Sequence, residues 1–386
     1  MDEPGVEEVS ERLGNFADMA ERVGMSLYHR LAKGAAADAE VAGRLVLANR
    51  DQRHAPLLLA AVHDVLLGGD DHPLRAWYPS VVPDARSVGI GDEDPWPHFR
   101  DLVVVHPGVE ANLRNRSTQT NEVGRCAALL PALACVAADA PGAPPGGTRP
   151  LGLVEVGASA GLNLQLARYD YHYVPAPDHH RGDDVHIIDG DSPVILECQL
   201  RGPLRPPLPA EAPTIASAIG IDLHPVDLGD RRQARWLVAC QWPEQPERLH
   251  RLRAAIALAH GDPPRVVEGD AADALASAVD TVPGFALPVV FATWSMAYLA
   301  ETRQRAFLAE LDRIGVGREL TFLLADQPDL VPGLPVPPRP DGDKAHRPTA
   351  LVCIDWREGQ RRPPVLLADL HPHGIWLEWL DDPTGH

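Results

Sequence analysis

Residues 151–164, LGLVEVGASAGLNL, combine an acid, glycines and a serine in an order that fits two chemistries. An apolar run ends near Glu155 and is followed by Gly157, Ser159 and Gly161. If the acid is the functional group, the stretch is a strand and a glycine turn leading into a helix whose N-terminus faces a negatively charged ligand group. If the serine is the functional group, the stretch is the nucleophile elbow of an α/β-hydrolase.

The hydrolase hypothesis needs an acid and a histidine later in the chain. Candidates follow Ser159 in the order that such enzymes use, with Asp270 or Asp326 as the acid and His371 or His373 as the base. However, no HGGG-type segment that could supply an oxyanion hole precedes the serine. A serine esterase therefore remains the alternative rather than the main hypothesis.

The segment QTNEVGR, residues 119–125, is a second polar group with close spacing. Asn121 and Arg125 are four residues apart, and Glu122 is three residues before the arginine. One interpretation is an ion pair within a helix, worth ~0.3 kcal/mol. The other is a substrate site in which the arginine binds a carboxylate through two parallel hydrogen bonds. Both interpretations stay open at this point.

Two further segments supply candidates for the substrate and the chemistry. Trp294 and Ser295 follow a predicted strand and would lie at the rim where such sheets bind substrate, although the tryptophan is equally consistent with a core position. His371 and His373 are, together with Glu122, candidates for a general base.

No metal site is predicted from the histidines. His371 and His373 lack a third ligand at a recognisable spacing, and His179 and His180 are interpreted as part of a solvated loop.

Composition narrows the function classes. The chain has 386 residues and a formal net charge of -19, from 54 acidic and 35 basic residues, which disfavours binding to nucleic acid or to an anionic membrane. Lys33 and Lys344 are the only lysines, so neither a phosphate-loop lysine nor a central Schiff-base lysine is present. These features predict a small-molecule partner and argue against Walker-type ATPases and pyridoxal enzymes.

Cysteine usage and the N-terminal sequence bear on the location of the protein. The five cysteines are scattered without a C-x-x-C motif, which argues against a disulfide framework and a cysteine zinc site. The acidic N-terminus has no signal-peptide pattern, and no apolar run approaches the ~20 residues of a membrane span. A cytoplasmic location is expected, and the oligomeric state is left open.

The periodicity of the chain changes near its middle. Helical spacing predicts an α-helical N-terminal cap domain over residues 1–140, followed by a linker at 141–150. Apolar runs then alternate with helical patterns, with a polar insertion at 169–213 and a Pro-rich loop at 327–348. The seven predicted strands are LGLVEVG, IGIDLHPVD, PRVVEGD, LPVVFAT, ELTFLLAD, TALVCID and PVLLADL. They predict an α/β fold with a Rossmann-like, seven-stranded, mostly parallel sheet, with the cap over its carboxyl ends.

Residues 151–380 resemble class I S-adenosylmethionine-dependent methyltransferases. The resemblance implies that Glu155, Gly157 and Gly161 match the E-x-G-x-x-x-G motif beside the cofactor, with Ser159 in place of the middle glycine. It also implies an adenine contact from Asp270 and a ribose contact from an acid after the second strand, either Asp222 or Asp227.

The chain as a whole also resembles an uncharacterised bacterial family of unknown function, through QTNEVGR, EVGASAGLNL, WPE, GD and HPHG. We therefore expect a small-molecule methyltransferase that uses S-adenosylmethionine, or a ligand-binding descendant of one, with a non-catalytic binding protein as a further alternative. Its pocket should be lined by Glu122, Arg125, Glu155 and Asp270, with a histidine of HPHG within reach.

Overall fold

The computed structural model describes residues 5–89, 93–177, 185–337 and 348–381. It confirms the predicted α/β class. The chain divides into two compact units, the first formed by Met1–Thr120 and Gly229–Arg253 and the second by Asn121–Leu228 and Ala254–His386. The first division therefore falls at Asn121, earlier than the 141–150 linker of the sequence prediction.

The helices of the two units are distributed unevenly along the chain. In chain order they are α1 (Val6–Arg22), α2 (Ser26–Ala37), α3 (Ala39–Arg44), α4 (Ala55–Leu67), α5 (Pro95–Val105), α6 (Pro107–Asn115), α7 (Cys126–Ala138), α8 (Arg231–Ala239), α9 (Pro246–Gly261), α10 (Ala271–Asp280) and α11 (Glu301–Gly315). The first unit holds α1 to α6, α8 and the start of α9, whereas α7, α10 and α11 belong to the second. None of the described helices has the length and apolar character needed to cross a bilayer.

The WPE motif has a structural role in the first unit. Trp242 packs against Phe16 and Tyr28, with ring centroids 5.4 and 5.8 Å apart. The Glu244 carboxylate accepts hydrogen bonds from the backbone N–H groups of Leu27 at 2.7 Å and Tyr28 at 3.0 Å, in the first turn of α2. Helices begin with N–H groups that have no partner within the helix, so an acid from elsewhere in the chain satisfies two of them. The motif thus ties the returning segment 229–253 to α1 and α2.

We expect Glu244→Ala to destabilise the first unit by about 1 to 2 kcal/mol, because two N–H groups of α2 lose a charged acceptor. The measurement is urea unfolding of the full chain. Glu11→Ala is the matched control, since Glu11 is an exposed acid on α1. Equal stability of the two variants would show that the hydrogen bonds from α2 to Glu244 contribute nothing to stability.

The strands form one twelve-stranded mixed sheet in the second unit. They are β1 (Leu151–Val156), β2 (Asp170–Pro175), β3 (His186–Ile188), β4 (Ile195–Arg201), β5 (Ile215–Asp222), β6 (Val266–Glu268), β7 (Leu287–Thr293), β8 (Leu320–Asp326), β9 (Thr349–Arg357), β10 (Gln360–Arg361), β11 (Val365–Leu370) and β12 (Trp376–Trp379). Their order is β3-β2-β4-β12-β11-β9-β8-β7-β1-β5-β6, with β10 paired to β9.

The predicted number of strands was wrong, although all seven predicted strands are present. The polar segment 169–213 contributes β2, β3 and β4, and a short β12 follows β11. In β2 the alternate residues Tyr171 and Tyr173 are buried, and their hydroxyls donate to the carbonyls of Leu166 at 2.6 Å and Ala127 at 2.8 Å. Because these polar groups are satisfied internally, a segment with the composition of a loop forms part of the sheet.

The centre of the sheet sets where the candidate site can lie. Strands β6, β5, β1, β7 and β8 are parallel neighbours in that order, and β9 pairs with β8 antiparallel. The crossover direction reverses between β1 and β7, and every residue of β1, β7 and β8 is buried. The carboxyl ends of all five parallel strands share one edge of the sheet. Strand β11 is antiparallel to β9, so its carboxyl end lies at the same edge.

Candidate functional site

The glycine turn after β1 packs tightly against its own protein. Gly157 and Gly161 both have φ of +72°, and Ser159 has φ of +53°, in the left-handed region. A Cβ on Gly157 would lie 2.3 Å from Cβ of Ser295, and one on Gly161 would lie 2.7 Å from Cβ of Pro264. The glycines therefore permit close approach of neighbouring loops, whereas the sequence predicted close approach of a ligand.

Glu155 lies near the carboxyl end of β1 and is 1% exposed. Its Oε1 accepts a hydrogen bond from Nδ2 of Asn163 at 2.8 Å, and the Sγ of Cys126 lies 3.4 Å from the Oδ1 of the same asparagine. Its Oε2 is buried and has no hydrogen-bond partner among the described residues. A buried oxygen without a partner costs free energy, so this atom marks a place where a ligand or a water molecule would be stabilising.

Burial raises the pKa of Glu155 to about 8, because the charged form loses its hydration. The nearby Asp222 carboxylate raises this pKa further, while the Asn163 hydrogen bond and the charge of Arg125 lower it. Near pH 7 the carboxyl group is therefore mainly protonated. Its Oε2 can then act as a hydrogen-bond donor in the core of the second unit.

The raised pKa predicts a pH-dependent stability. The folded pKa lies above the unfolded value of 4.5, so Glu155 adds stability that is complete below pH 4.5 and is lost as the pH rises to about 8. Glu155→Gln removes the titration and keeps the shape. Its free energy of unfolding relative to the wild type should therefore rise by about 1.4 kcal/mol per pH unit across this window.

Urea unfolding at a series of pH values measures this difference. The control is Glu197→Gln, at an exposed position of β4, whose curve should stay parallel to that of the wild type. A Glu155→Gln curve that also stays parallel would refute the raised pKa.

The QTNEVGR segment does not form a regular helix. Glu122 precedes a short 3₁₀ turn, Val123–Arg125, so Glu122 and Arg125 do not share an α-helix as the helical interpretation required. The Oδ1 of Asn121 accepts a hydrogen bond from the N–H of Leu162, at 3.0 Å. This buried asparagine therefore joins the segment to the chain that follows the glycine turn.

Arg125 is buried and binds two backbone carbonyls. Its Nε donates to the oxygen of Pro372 and its Nη1 to the oxygen of Thr293, both at 2.8 Å. It also lies near enough to Glu155 and Asp326 to lower the pKa of each. These contacts make Arg125 a link between the end of β7 and the HPHG turn, and they occupy donors that the carboxylate-binding hypothesis would use.

The HPHG turn, residues 371–374, contacts the QTNEVGR turn through two glycines. A Cβ on Gly124 would lie 2.3 Å from the oxygen of His373, and a Cβ on Gly374 would lie 1.9 Å from the oxygen of Gly124. In addition, the Oε2 of Glu122 lies 3.4 Å from the Nδ1 of His373. QTNEVGR and HPHG, two of the five segments that carry the family resemblance, are thus in direct backbone contact.

The predicted cofactor acids have different surroundings. At the end of β5, Asp222 accepts hydrogen bonds from the N–H of Ser159 at 2.7 Å and of His224 at 2.8 Å. Asp227 lies beyond β5 and is exposed. Asp222 therefore contacts the glycine turn through the N–H of Ser159.

Asp270 caps α10 through the N–H of Ala272 and binds the guanidinium of Arg303. Partial burial raises the pKa of Asp270, but the Arg303 contact and the helix N–H groups outweigh it and hold the pKa below the ordinary value. Of the four residues predicted to line the pocket, the structure brings Glu122, Arg125 and Glu155 into one cluster with His373. The described contacts of Asp270, with Arg303 and Ala272, lie outside this cluster.

The segment after β7 contributes Trp294 and Ser295. Trp294 has φ of +54°, is partly buried, and donates from Nε1 to the Oγ1 of Thr349 at 2.9 Å. Ser295 donates to the oxygen of Val156 at 2.7 Å, which holds this segment against the end of β1. Both residues therefore lie at the carboxyl ends of the central strands.

Sequence reasoning treated Asp326 only as a possible triad acid and overlooked Asn163. Asp326 ends β8, and burial raises its pKa to about 6, although the N–H groups of Ala297 and Gln327 donate to its carboxylate. Asn163 was within the EVGASAGLNL motif, eight residues after its hydrogen-bond partner Glu155. The short sequence spacing between Asn163 and Glu155 was the signal that could have identified this asparagine.

The hydrolase triad can be compared with these contacts. Ser159 has the positive φ of a nucleophile elbow. Among the described residues, however, Asp270 bonds to Arg303 and to the N–H of Ala272, and Asp326 bonds to backbone N–H groups. Neither acid orients a histidine.

No group of three or more histidine, cysteine or acidic side chains in the described part of the chain is arranged to hold a metal ion. His179 and His180 lie outside the described residues.

The sequence profile of a family described as uncharacterized proteins conserved in bacteria (DUF2332) matches residues 10–379. The chain belongs to this family. No curated protein and no solved structure matches it. The family match therefore confirms the resemblance drawn from the five motifs, and it assigns no activity.

Within this DUF2332 chain four of the five motifs make two kinds of contact, and the fifth, GD, supplies Asp270, which caps α10. WPE stabilises the first unit through Glu244. QTNEVGR, EVGASAGLNL and HPHG meet at the carboxyl edge of the sheet, through Asn121, Arg125 and the glycine contact. The three motifs that meet define the candidate site of the second unit.

Proposed function

We propose that the second unit binds a cofactor of the S-adenosylmethionine type at the carboxyl ends of β1 and β5, and that the protein methylates a small molecule. The observation that carries this proposal is the strand order β6-β5-β1-β7-β8. In chain order these parallel strands correspond to 3-2-1-4-5, the order of the Rossmann-like fold. Ligands of such sheets bind outside the carboxyl ends at the point where the order reverses, which here lies between β1 and β7.

The acids at the ends of β1 and β5 support a cofactor site. Glu155 has an oxygen without a partner among the described residues, and the Asp222 carboxylate accepts two backbone hydrogen bonds. A carboxylate has roughly four acceptor positions, so Asp222 keeps capacity for the hydroxyl groups of a ribose. The Asp222 carboxylate fits the hydroxyl donors of a nucleoside-bearing ligand, and protonated Glu155 fits an acceptor on the same ligand.

Two other positions of the resemblance fit less well. Gly157 is packed against Ser295, and Asp270 binds Arg303. A ligand contact at Asp270 therefore requires the arginine to move. Glu155 and Asp222 are therefore the cofactor-binding acids of the proposal, and Asp270 is assigned to the stability of α10.

The bound cofactor would supply an electrophilic methyl group. The residues of the chain then have to bind and orient the acceptor, exclude water and accept a proton where the acceptor loses one. The net charge of -19 supports a small molecule rather than a nucleic acid as the acceptor. A cytoplasmic location is part of the same proposal.

A serine esterase is the second candidate, because Ser159 has a positive φ. It is less well supported, since neither Asp270 nor Asp326 contacts a histidine among the described residues. Labelling with a fluorophosphonate probe distinguishes the two: modification of Ser159 would favour the esterase.

Isothermal titration calorimetry with S-adenosylhomocysteine tests the methyltransferase proposal. We expect the wild type to bind, and Asp222→Asn to bind at least tenfold more weakly because a charged acceptor is lost, about 1.4 kcal/mol. Glu197→Gln, which removes an acid at an exposed position of β4, is the control and should bind as the wild type does.

Thermal unfolding of each variant distinguishes weak binding from a damaged fold. Absence of binding heat from the wild type at millimolar ligand would overturn the proposal. Binding without methyl transfer to any acceptor would instead favour a non-catalytic binding protein.

A further inference from the structure

The HPHG turn is fixed to the QTNEVGR turn by three separate contacts. Arg125 donates to the oxygen of Pro372, the glycines Gly124 and Gly374 allow the backbones to touch, and Glu122 lies beside His373. A turn that only joined β11 to β12 would not need contacts with a buried arginine and a buried acid, Arg125 and Glu122, that are distant from it in sequence. The contacts orient the two histidines of the turn.

Glu122 favours one tautomer of His373. Its carboxylate is 3% exposed and its Oε2 is 3.4 Å from the Nδ1 of the histidine, whose side chain is 31% exposed. The contact has an ion-pair distance without hydrogen-bond geometry. The carboxylate charge at this distance favours a proton on Nδ1, which leaves Nε2 as the basic nitrogen. Catalytic hydrogen bonds often form fully only when a ligand binds.

The neighbouring histidine is held in the opposite tautomer. The backbone N–H of His373 donates to the Nδ1 of His371 at 3.1 Å, so this nitrogen is an acceptor, and in the neutral ring Nε2 carries the proton. The two rings are 5.3 Å apart, centroid to centroid. The turn therefore combines one ring whose Nε2 accepts with one whose Nε2 donates.

Resting on the methyltransferase function proposed above, we propose that His373, oriented by Glu122, accepts the proton of the methyl acceptor, and that this acceptor is a hydroxyl-bearing small molecule. A hydroxyl group donates one hydrogen bond and accepts others, which matches the acceptor Nε2 of His373 and the donor Nε2 of His371. An aliphatic amine in its protonated form offers donors only, and a thiol forms weaker hydrogen bonds.

The step balances within the groups named. The acceptor oxygen forms a bond to the methyl carbon as the bond from that carbon to the cofactor sulfur breaks, and the sulfur keeps the electron pair. The proton of the hydroxyl passes to Nε2 of His373. The carboxylate of Glu122 stabilises the imidazolium that results, which makes Glu122 a positioning residue.

The first test is the tautomeric state, which does not depend on turnover. In ¹⁵N-labelled full-length protein at neutral pH, long-range ¹H–¹⁵N spectra should show His373 protonated at Nδ1 and His371 protonated at Nε2. Glu122→Gln should lose this preference at His373 and leave His371 unchanged. The matched control is Glu197→Gln, on exposed β4, which should leave both rings unchanged. A wild-type His373 protonated at Nε2 would overturn the proposal.

The second test uses phenol and anisole, which share a ring and differ in the hydroxyl proton. Phenol should shift the Nε2 resonances of His371 and His373, and anisole should shift them several-fold less. Equal shifts, or none with either probe at tens of millimolar, would overturn the hydroxyl assignment. His373→Gln should abolish the phenol effect at His371 if both rings share one hydroxyl.

Failure of this inference is distinguishable from failure of the proposed function. If the wild type binds S-adenosylhomocysteine in the calorimeter but His373 is protonated at Nε2, only the assignment of the proton acceptor is wrong. If the tautomers are as expected but no cofactor analogue binds, the methyltransferase function is wrong and the histidine pair serves other chemistry.

Discussion

A carboxyl group buried at the carboxyl end of the central strand is the constraint on which this site depends. Glu155 is 1% exposed and has no full ionic partner, so it is held mainly as the neutral acid near pH 7. A neutral acid needs both a donor and an acceptor around it. Asn163 supplies the donor, and the second oxygen is buried without a hydrogen-bond partner among the described residues. Asn163 follows the glycine turn after β1, so that turn places it beside this acid.

The polar cluster around Glu155 is assembled from distant parts of the chain. Arg125 reaches the end of β7 through Thr293 and the HPHG turn through Pro372, which is 247 residues away in sequence. The contacts of Arg125 with Pro372 and Thr293 therefore require that β7 and the C-terminal strands have formed. A site of this kind has high contact order, and we expect it to form late in folding.

Much of the central sheet was predictable, because buried parallel strands are continuous apolar runs with acids at their ends. The same pattern made Glu155, and either Asp222 or Asp227, candidates for the site. The contacts of Arg125, Asp270 and Glu244 were not predictable, because their partners are backbone groups and side chains far away in sequence. Charge and spacing indicate that such residues make polar contacts. Their partners can be identified only in the folded chain.

The additional strands are connected to the site. Segment 169–213, which has the composition of a loop, forms β4, and β4 pairs in parallel with β12. Strand β12 also pairs with β11, so the HPHG turn between them is held at both sides. Because β11 is antiparallel to β9, that turn lies at the same edge as the ends of β1 and β7. The extension of the sheet beyond seven strands thus fixes the HPHG turn, with His373 beside Glu122, and a shorter sheet would leave this turn as an unsupported loop.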